Sequence, residues 1–280
     1  MDKMPAYQRP DTLDQALSQL ARGQARPLAG GTDSYVLTQE RDLPFPIIDI
    51  ARLPELRGFS LDATGLRLGA GMTWTEIARA NLPPALAALQ QAAIQVGGRQ
   101  IQNAGTLGGN LCNASPAADG VPPLLVVNAG VELASPRGRR VIDLQDFLTG
   151  PRQTARASDE ILTAILIPAT ALAGVSRFEK LGARAYLVIS IAMVAVRLHV
   201  TDGLIRQAAI AVGACSATAQ RLPMVETALL GVHVADAHRR IDAALVRAAL
   251  SPINDIRATA DYRHTAATEL LRRAVKAVAE

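Results

Sequence analysis

The residues of this chain best equipped for chemistry lie in two segments built around adjacent glycines. One is Pro27-Leu28-Ala29-Gly30-Gly31-Thr32-Asp33-Ser34. The other runs from Thr106-Leu107-Gly108-Gly109-Asn110 through Cys112, Ser115 and Pro116 to Asp119. Glycine lacks a Cβ and tolerates positive φ, so a glycine pair lets the backbone wrap an anion and present its N–H groups. Thr32, Ser34 and Thr106 add hydroxyls. Asp33 is a poor phosphate contact by itself, but it would cap a following helix, whose N-terminus favours an anion. Taken alone, the first segment reads at least as well as a tight strand-to-helix turn that holds nothing. The second repeats the recipe and prolongs it into an irregular stretch, and long irregular stretches inside compact domains are usually functional. Together they suggest a nucleotide diphosphate held between two loops. Neither contains the Gly-Lys-Ser/Thr of a P-loop or the GxGxxG of a dinucleotide-binding βαβ unit. A P-loop ATPase and a nicotinamide dehydrogenase of the usual kind are therefore disfavoured.

Other chemistries find less support. The two cysteines, Cys112 and Cys215, are too few for an iron–sulfur cluster, which usually takes four thiolates. They read as free thiols, with Cys112 a small buried one inside the second loop. The four histidines, His199, His233, His238 and His264, show no metal-ligand spacing. Ser190 and Ser216 lie outside any nucleophile-elbow motif. Asp159-Glu160 reads as a solvated turn, and Trp74, the only tryptophan, as packing. Net charge is +4, but the basic residues are scattered and aromatics are only 3% of the chain. A nucleic-acid groove would need a basic stripe with stacking residues, so none is expected. No apolar run reaches the ~20 residues of a membrane-spanning helix; Leu187 to Val196, ended by Arg197, reads as a buried strand. Met1 to Pro5 lacks a secretory pattern, which points to the cytoplasm.

The elements that must position the two loops follow from the hydrophobic pattern. Thr12-Leu13-Asp14-Gln15 caps a helix that stops at Gly23. A short strand at Arg26 to Ala29 enters the first loop, a short helix follows over Ser34 to Gln39, and Ile47 to Ile50 is a strand. From Leu56 a hairpin (58–62, 66–70) leads to helices started by the capping box Thr73-Trp74-Thr75-Glu76 and continued over Pro84 to Val96. The second loop comes next, then strands near 131–134, 140–142 and 161–168. After a loose stretch near residue 170, three strands (175–180, 189–200, 205–212) precede helices at 224–230, 235–249 and 260 to the C-terminus. Thr201-Asp202-Gly203 is a hairpin turn. The fold class is α+β in three lobes, 1–56, 57–172 and 173–280, with the ligand between the first two.

At the two loops the chain resembles the FAD-binding medium subunits of the molybdenum hydroxylases, the xanthine dehydrogenase and carbon monoxide dehydrogenase family. Ala29 to Asp33 and Thr106 to Asp119 match its two loop motifs. The likeness continues through Glu160-Ile161-Leu162, Phe178 to Gly182 and Tyr262-Arg263, so it covers essentially the whole chain. It implies a three-lobed FAD-binding fold of the vanillyl-alcohol oxidase type with a C-terminal sheet-plus-helices domain. Pro27 to Ser34 and Thr106 to Asn110 would hold the FAD pyrophosphate. Ser115 belongs to the same loop, and Asp119 would accept hydrogen bonds from the cofactor. Val96 and Leu162 would give apolar contacts, and Lys180 a cation near the flavin. Without the likeness Lys180 would read as a surface lysine. Tyr186 would lie over the isoalloxazine or simply pack between lobes, since Arg184 to Leu187 departs from the more charged family pattern. The likeness further implies a molybdopterin-binding large subunit, an iron–sulfur small subunit and a terminal electron acceptor, in a dimer of heterotrimers. The competing class is a freestanding flavin oxidase of related fold; no histidine stands beside either loop, so a covalent flavin link is not expected.

Overall fold

The strand Ile47–Asp49 (β3) is the centre of a small parallel sheet, flanked by Tyr7–Gln8 (β1) and Arg26–Leu28 (β2) in the order β1-β3-β2. The structure is a computed structural model that describes residues 7–23, 25–34 and 45–279. The helix expected over Ser34 to Gln39 therefore falls mostly outside the described residues. Parallel strands need a crossover, and Leu13–Leu20 (α1) supplies it between β1 and β2. Thr12 caps α1 by accepting the Gln15 N–H. Leu13, Ala16, Leu17 and Leu20 recur at helical spacing and bury against Ile48 and Leu56. That core also takes in Ala134 and Ile161 of the next unit, which fixes the two units to each other.

The second unit is a five-stranded antiparallel sheet with helices on it. Phe59–Leu61 (β4) and Gly65–Gly69 (β5) form the expected hairpin. Then come five short helices, Trp74–Arg79 (α2), Ala87–Ala93 (α3), Arg99–Ala104 (α4), Leu107–Asn113 (α5) and Val121–Leu125 (α6). Gly130–Ser135 (β6), Gly138–Asp143 (β7), the turn Leu144–Phe147 (α7) and the small hairpin Leu148–Gly150 (β8) with Gln153–Thr154 (β9) lead to Ile161–Pro168 (β10). The order is β4-β5-β10-β6-β7, so β10 is central and nearly wholly buried. Two differences from the sequence reading stand out. The stretch after Thr106 is helical through Asn113, because Thr106 caps it and Leu107 and Leu111 bury one face at i, i+4 spacing. The 84–96 helix is shorter, a single 3₁₀ turn followed by α3.

The third unit has four strands rather than three: Val175–Leu181 (β11), Ala192–Thr201 (β12), Leu204–Gly213 (β13) and Gln220–Arg221 (β14), in that order. Asp202 and Gly203 both have positive φ, as a two-residue hairpin turn between β12 and β13 requires. The strand expected from Leu187 starts only at Ala192; Leu187 has φ 54° and its carbonyl is held by the Arg184 guanidinium. Alternation along β12 decides the rest. Ala192, Val194, Val196 and Leu198 join the core under Ala260–Ala279 (α10), while Met193 and Ala195 join the core of the second unit. Pro223–Leu229 (α8) and Ala243–Ala248 (α9) complete the helical layer. The single helix expected over 235–249 is a 3₁₀ stretch over Val234–Arg240 and then α9, which Asp242 caps.

Two arginines of the third unit bind the C-terminal end of α6, where carbonyls lack intrahelical partners. Arg197 Nε donates to Val126 O at 2.8 Å and Arg221 Nη1 to Leu125 O at 2.9 Å. A third arginine anchors α10. Arg263 is buried; its Nη1 donates to the carbonyls of Ile191 and Ala214, and its Nη2 to Asp255 at 2.7 Å. Backbone N–H donation from Arg257, together with Arg263 and the Ala258 N–H, holds the Asp255 carboxyl down to about 2. A depressed folded pKa contributes stability that is complete above the unfolded value and lost as pH falls through the folded one. Thermal melting should therefore lose stability from about pH 4 toward pH 2 through Asp255. Asp255→Asn should melt lower near neutrality and show a shallower acid limb; an unchanged acid limb would count against this role.

Candidate functional site

A cleft of about 740 Å³ opens between the first and second units. That is within the range of small-molecule and cofactor sites, roughly 300–1,000 Å³. One wall is the β2 end and the loop Pro27 to Ser34, backed by Ile50 and Leu56. The other wall comes from Thr106, Gly108, Gly109, Asn110 and Asn113, with Trp74 behind them. Arg156 and the start of β10, Glu160 to Leu162, close it, and Val96 contributes an apolar edge. The two glycine segments, distant in sequence, thus face one space.

The first loop meets backbone just ahead of the second segment. A Cβ built on Gly30 would stand 1.9 Å from Ala104 O and 3.0 Å from Gly105 Cα, so only glycine lets the first loop lie on the end of α4. Gly31 follows with φ 67° and turns the chain. The second segment is itself pinned. Thr73 and Thr106 form an isolated bridge, Leu107 N donates to Met72 O at 2.9 Å, and Gly108 N donates to Ala70 O at 2.8 Å. Thr106 Oγ1 accepts the Gly109 N–H at 3.1 Å and Thr106 O the Asn110 N–H at 3.0 Å. The first-turn N–H groups of α5 are therefore engaged within the protein. The free donors belong to the first loop: among the described residues no acceptor meets the N–H groups of Gly30, Gly31, Thr32, Asp33 or Ser34.

The lining fits a large, partly anionic, partly aromatic ligand. A Cβ on Gly109 would meet only Thr106 Oγ1, at 2.9 Å, so its bare Cα leaves room toward the cleft. Asn110 lines the cleft, but its Oδ1 is buried on the Gly120 side, without a hydrogen-bond partner. Leu28, Val96 and Leu162 give apolar surface, and Arg26, stacked on Phe45 at 4.2 Å, and Arg156 give positive charge. Cys112 also lines the cleft. Burial pushes its thiol up to about 11, with the Arg156 charge pulling the other way, so it stays protonated at neutral pH.

Glu160 departs from the sequence reading. It is no solvated turn residue but is 4% exposed. Arg140 grips its carboxylate with Nε and Nη2 at 2.6 and 2.8 Å, and the Ala157 N–H adds a third bond at 2.7 Å. The Arg140 hydrogen bonds hold this carboxyl below the ordinary glutamate range despite burial. Nothing in the local sequence distinguished it from its neighbour Asp159, because its partner lies on β7. Arg156 and the Arg26–Phe45 stack were also missed; single arginines carry no motif.

The remaining expected site residues lie off the cleft wall. Leu107 is fully buried in the second core. Ser115 turns its Oγ onto the Ala117 N–H. Asp119 and Lys180 pair with each other at 2.5 Å, with side chains only 8% and 7% exposed. Ser190 Oγ donates to the other Asp119 oxygen at 2.6 Å. Burial pushes the Asp119 carboxyl up, opposed by Lys180 and Ser190. Lys180 Nζ also reaches Gln95 O at 3.5 Å, and the next residue, Val96, lines the cleft. A smaller cavity of about 260 Å³ lies on the Gln95 side, bordered by Lys180, Arg184 and Leu187. Tyr186 stands there 77% exposed. Among the described residues no group of three or more His, Cys, Asp or Glu is placed to hold a metal, and no helix is long and apolar enough to cross a membrane.

The chain is similar to known proteins over its whole length. The family described as "FAD binding domain in molybdopterin dehydrogenase" matches residues 3–170, and the "CO dehydrogenase flavoprotein C-terminal domain" matches residues 177–278. The xanthine dehydrogenase FAD-binding subunit of Escherichia coli O157:H7 is 41% identical over 58% of this chain, a match that spans only 57% of that relative's length. The nicotine 6-hydroxylase medium subunit of Paenarthrobacter nicotinovorans is 32% identical, covering 98% of this chain and 97% of its own. Among solved structures, reconstituted CO dehydrogenase from Oligotropha carboxidovorans superposes with a TM-score of 0.89 at 28% identity, over 100% of this chain and 99% of that one.

Proposed function

The chain belongs to the family of FAD-binding subunits of the molybdenum hydroxylases, and from that premise we propose that it holds FAD in the cleft between the Pro27–Ser34 loop and α5 as the electron-transferring subunit of a larger oxidoreductase. The observation that carries this reading is the joint at Gly30, where the first glycine loop lies on the backbone of Ala104-Gly105, just ahead of the second glycine segment, and its N–H groups stay free at a cleft of about 740 Å³. Gly30 to Ser34 would bind the diphosphate through those N–H groups and the hydroxyls of Thr32 and Ser34. Asn110 would line the ligand space, and Val96 and Leu162 would shield the cofactor's rings from water. Asp119 and Lys180 act on the site at one remove, through the Gln95–Val96 segment that Lys180 touches. Tyr186 and the 182–188 loop border the outer side of that segment. When bound, FAD supplies a carrier that takes electrons singly and stores two.

The electrons would come from iron–sulfur clusters on a small subunit, after a molybdopterin-binding large subunit has oxidised the organic substrate, and would leave to a terminal acceptor. Relatives named as medium subunits or medium chains support this assembly. The lobes of the working subunit are taken as 1–56, 57–172 and 173–280, operating in the cytoplasm. The test is direct. The purified chain should show a flavin visible spectrum and release about one FAD per chain on denaturation. A folded, colourless chain that takes up no added FAD would overturn the reading.

A further inference from the structure

We propose that Arg156 is a cofactor-binding residue of this subunit, whose free guanidinium edge takes an anionic oxygen of the bound dinucleotide. The inference rests on the FAD reading of the cleft and goes beyond it to one side chain. Arg156 lines the cleft beside Cys112 and Asn113. A single nitrogen fixes it: Nη1 donates to Ala157 O at 2.9 Å and to Glu160 O at 2.6 Å. Both acceptors lie on the turn that enters β10, a strand held at the centre of its sheet. The guanidinium is thus oriented by rigid backbone while Nε and Nη2 have no protein acceptor among the described residues. Neither of these nitrogens is among the buried atoms that lack a partner, so the free edge is open to solvent.

Among the described residues Arg156 is left without a salt-bridge partner, although its charge acts at longer range on the Asp159 carboxylate. The two carboxylates nearest in sequence are committed elsewhere, Glu160 to Arg140 and Asp159 to Arg137. Arg156 itself forms no ion pair among the described residues. Its field reaches the Cys112 thiol, where it opposes the larger effect of burial. An oriented, permanently charged fork with two free donors matches a phosphate better than any neutral edge of a flavin or a purine. The dinucleotide carries its negative charge on the diphosphate alone. The first unit offers that diphosphate backbone N–H groups, hydroxyls and Arg26, whose guanidinium already lies on the Phe45 ring, and Arg156 supplies a cation from the opposite unit.

The test is FAD binding by the full chain after removal of bound flavin, with the wild type, Arg156→Gln and Arg156→Lys compared across a range of ionic strength. Loss of one charge-assisted contact should weaken FAD binding about tenfold to hundredfold in Arg156→Gln. The same variant should flatten the salt dependence of the FAD affinity, and ADP should lose affinity in parallel. Arg156→Lys, which keeps the charge but not the fork, should recover part of the affinity and keep the salt dependence. A purely structural role for the turn would lower melting temperature without changing the salt slope. Should the glutamine variant fail to fold, Arg156→Leu, which has no polar end to satisfy, replaces it as the neutral form. FAD affinity within twofold of wild type in the neutral variant, or an unchanged salt slope, overturns the proposal. A wild-type chain that binds no FAD overturns the reading of the cleft itself, and the two failures are told apart by that control.

Discussion

Replacing Gly30 with alanine will strip the chain of its cofactor. The added methyl carbon would sit 1.9 Å from Ala104 O, 2.6 Å from Ala104 C and 3.0 Å from Gly105 Cα, all of them backbone atoms. No rotamer relieves a clash with backbone, so one of the two segments must move. The end of α4 resists, because Gly105 N donates to Ile101 O at 2.7 Å and Gly105 O accepts the Trp74 backbone N–H at 3.2 Å. Trp74 is one of the largest fully buried side chains. The first loop is the part that yields, and its N–H groups leave the cleft. Overpacking of this kind costs about 1–3 kcal/mol or more of stability, and we expect at least a ~100-fold loss of FAD affinity, which is about 2.7 kcal/mol. Gly109→Ala gives the contrast. Its Cβ would meet only the Thr106 hydroxyl, at 2.9 Å. That variant should still fold, losing no more than about 1 kcal/mol as the Thr106 cap shifts, while binding FAD more weakly because the methyl enters ligand space. FAD content and thermal melting of both variants check this. Gly30→Ala protein that keeps FAD with wild-type affinity would sink the account of the joint.

These glycines were legible in the sequence because their chemistry is local. A pair of residues without Cβ, flanked by hydroxyls, announces backbone exposure wherever it occurs, and having two such pairs raised a weak signal to a usable one. The central strand Ile161–Pro168 and the Asp202-Gly203 turn were legible for a similar reason: a short apolar run and turn chemistry need no distant partner to be read. What stayed hidden depends on contacts made across the fold. Glu160 and Asp159 look alike along the chain, and only the hairpin that carries Arg140 on β7 buries the first of them. The helix Leu107–Asn113 contains two glycines, so propensity argued against it; Thr106 capping and the buried Leu107 and Leu111 outweigh that cost. The apolar run at Leu187 to Ile191 reads as strand by hydropathy. Yet Leu187 and Ile189 are exposed and the β12 ladder opens at Ala192, where pairing with Leu181 begins. Hydropathy alone does not report a missing partner strand.

The Asp119–Lys180 pair leads to the second large effect, and its logic is the reverse of the first: here a side chain is needed rather than forbidden. Two opposite charges sit at 2.5 Å with side chains 8% and 7% exposed, joining the segment before α6 to β11. Removing one partner of a buried pair leaves an uncompensated charge, at a cost of about 3–5 kcal/mol, whereas replacing both is often nearly neutral. Lys180→Met should therefore lower the melting temperature sharply. The Asp119 carboxyl, already pushed up by burial, loses the cation that opposed this. Its folded pKa then rises further above the unfolded value. A raised carboxyl pKa contributes relative stability at low pH that is lost as pH rises, so the variant's deficit should shrink between about pH 7 and pH 5. Adding Asp119→Asn removes the charge while an amide oxygen can still accept from Ser190 Oγ, now at 2.6 Å from the carboxylate. The double variant should recover most of the stability at neutral pH and lose the pH dependence. If FAD is held partly through the Gln95–Val96 segment, the single variant should also bind it more weakly than the double variant does. A Lys180→Met protein as stable as wild type at neutral pH would mean that the pair is incidental and that both residues are free to serve the cofactor directly.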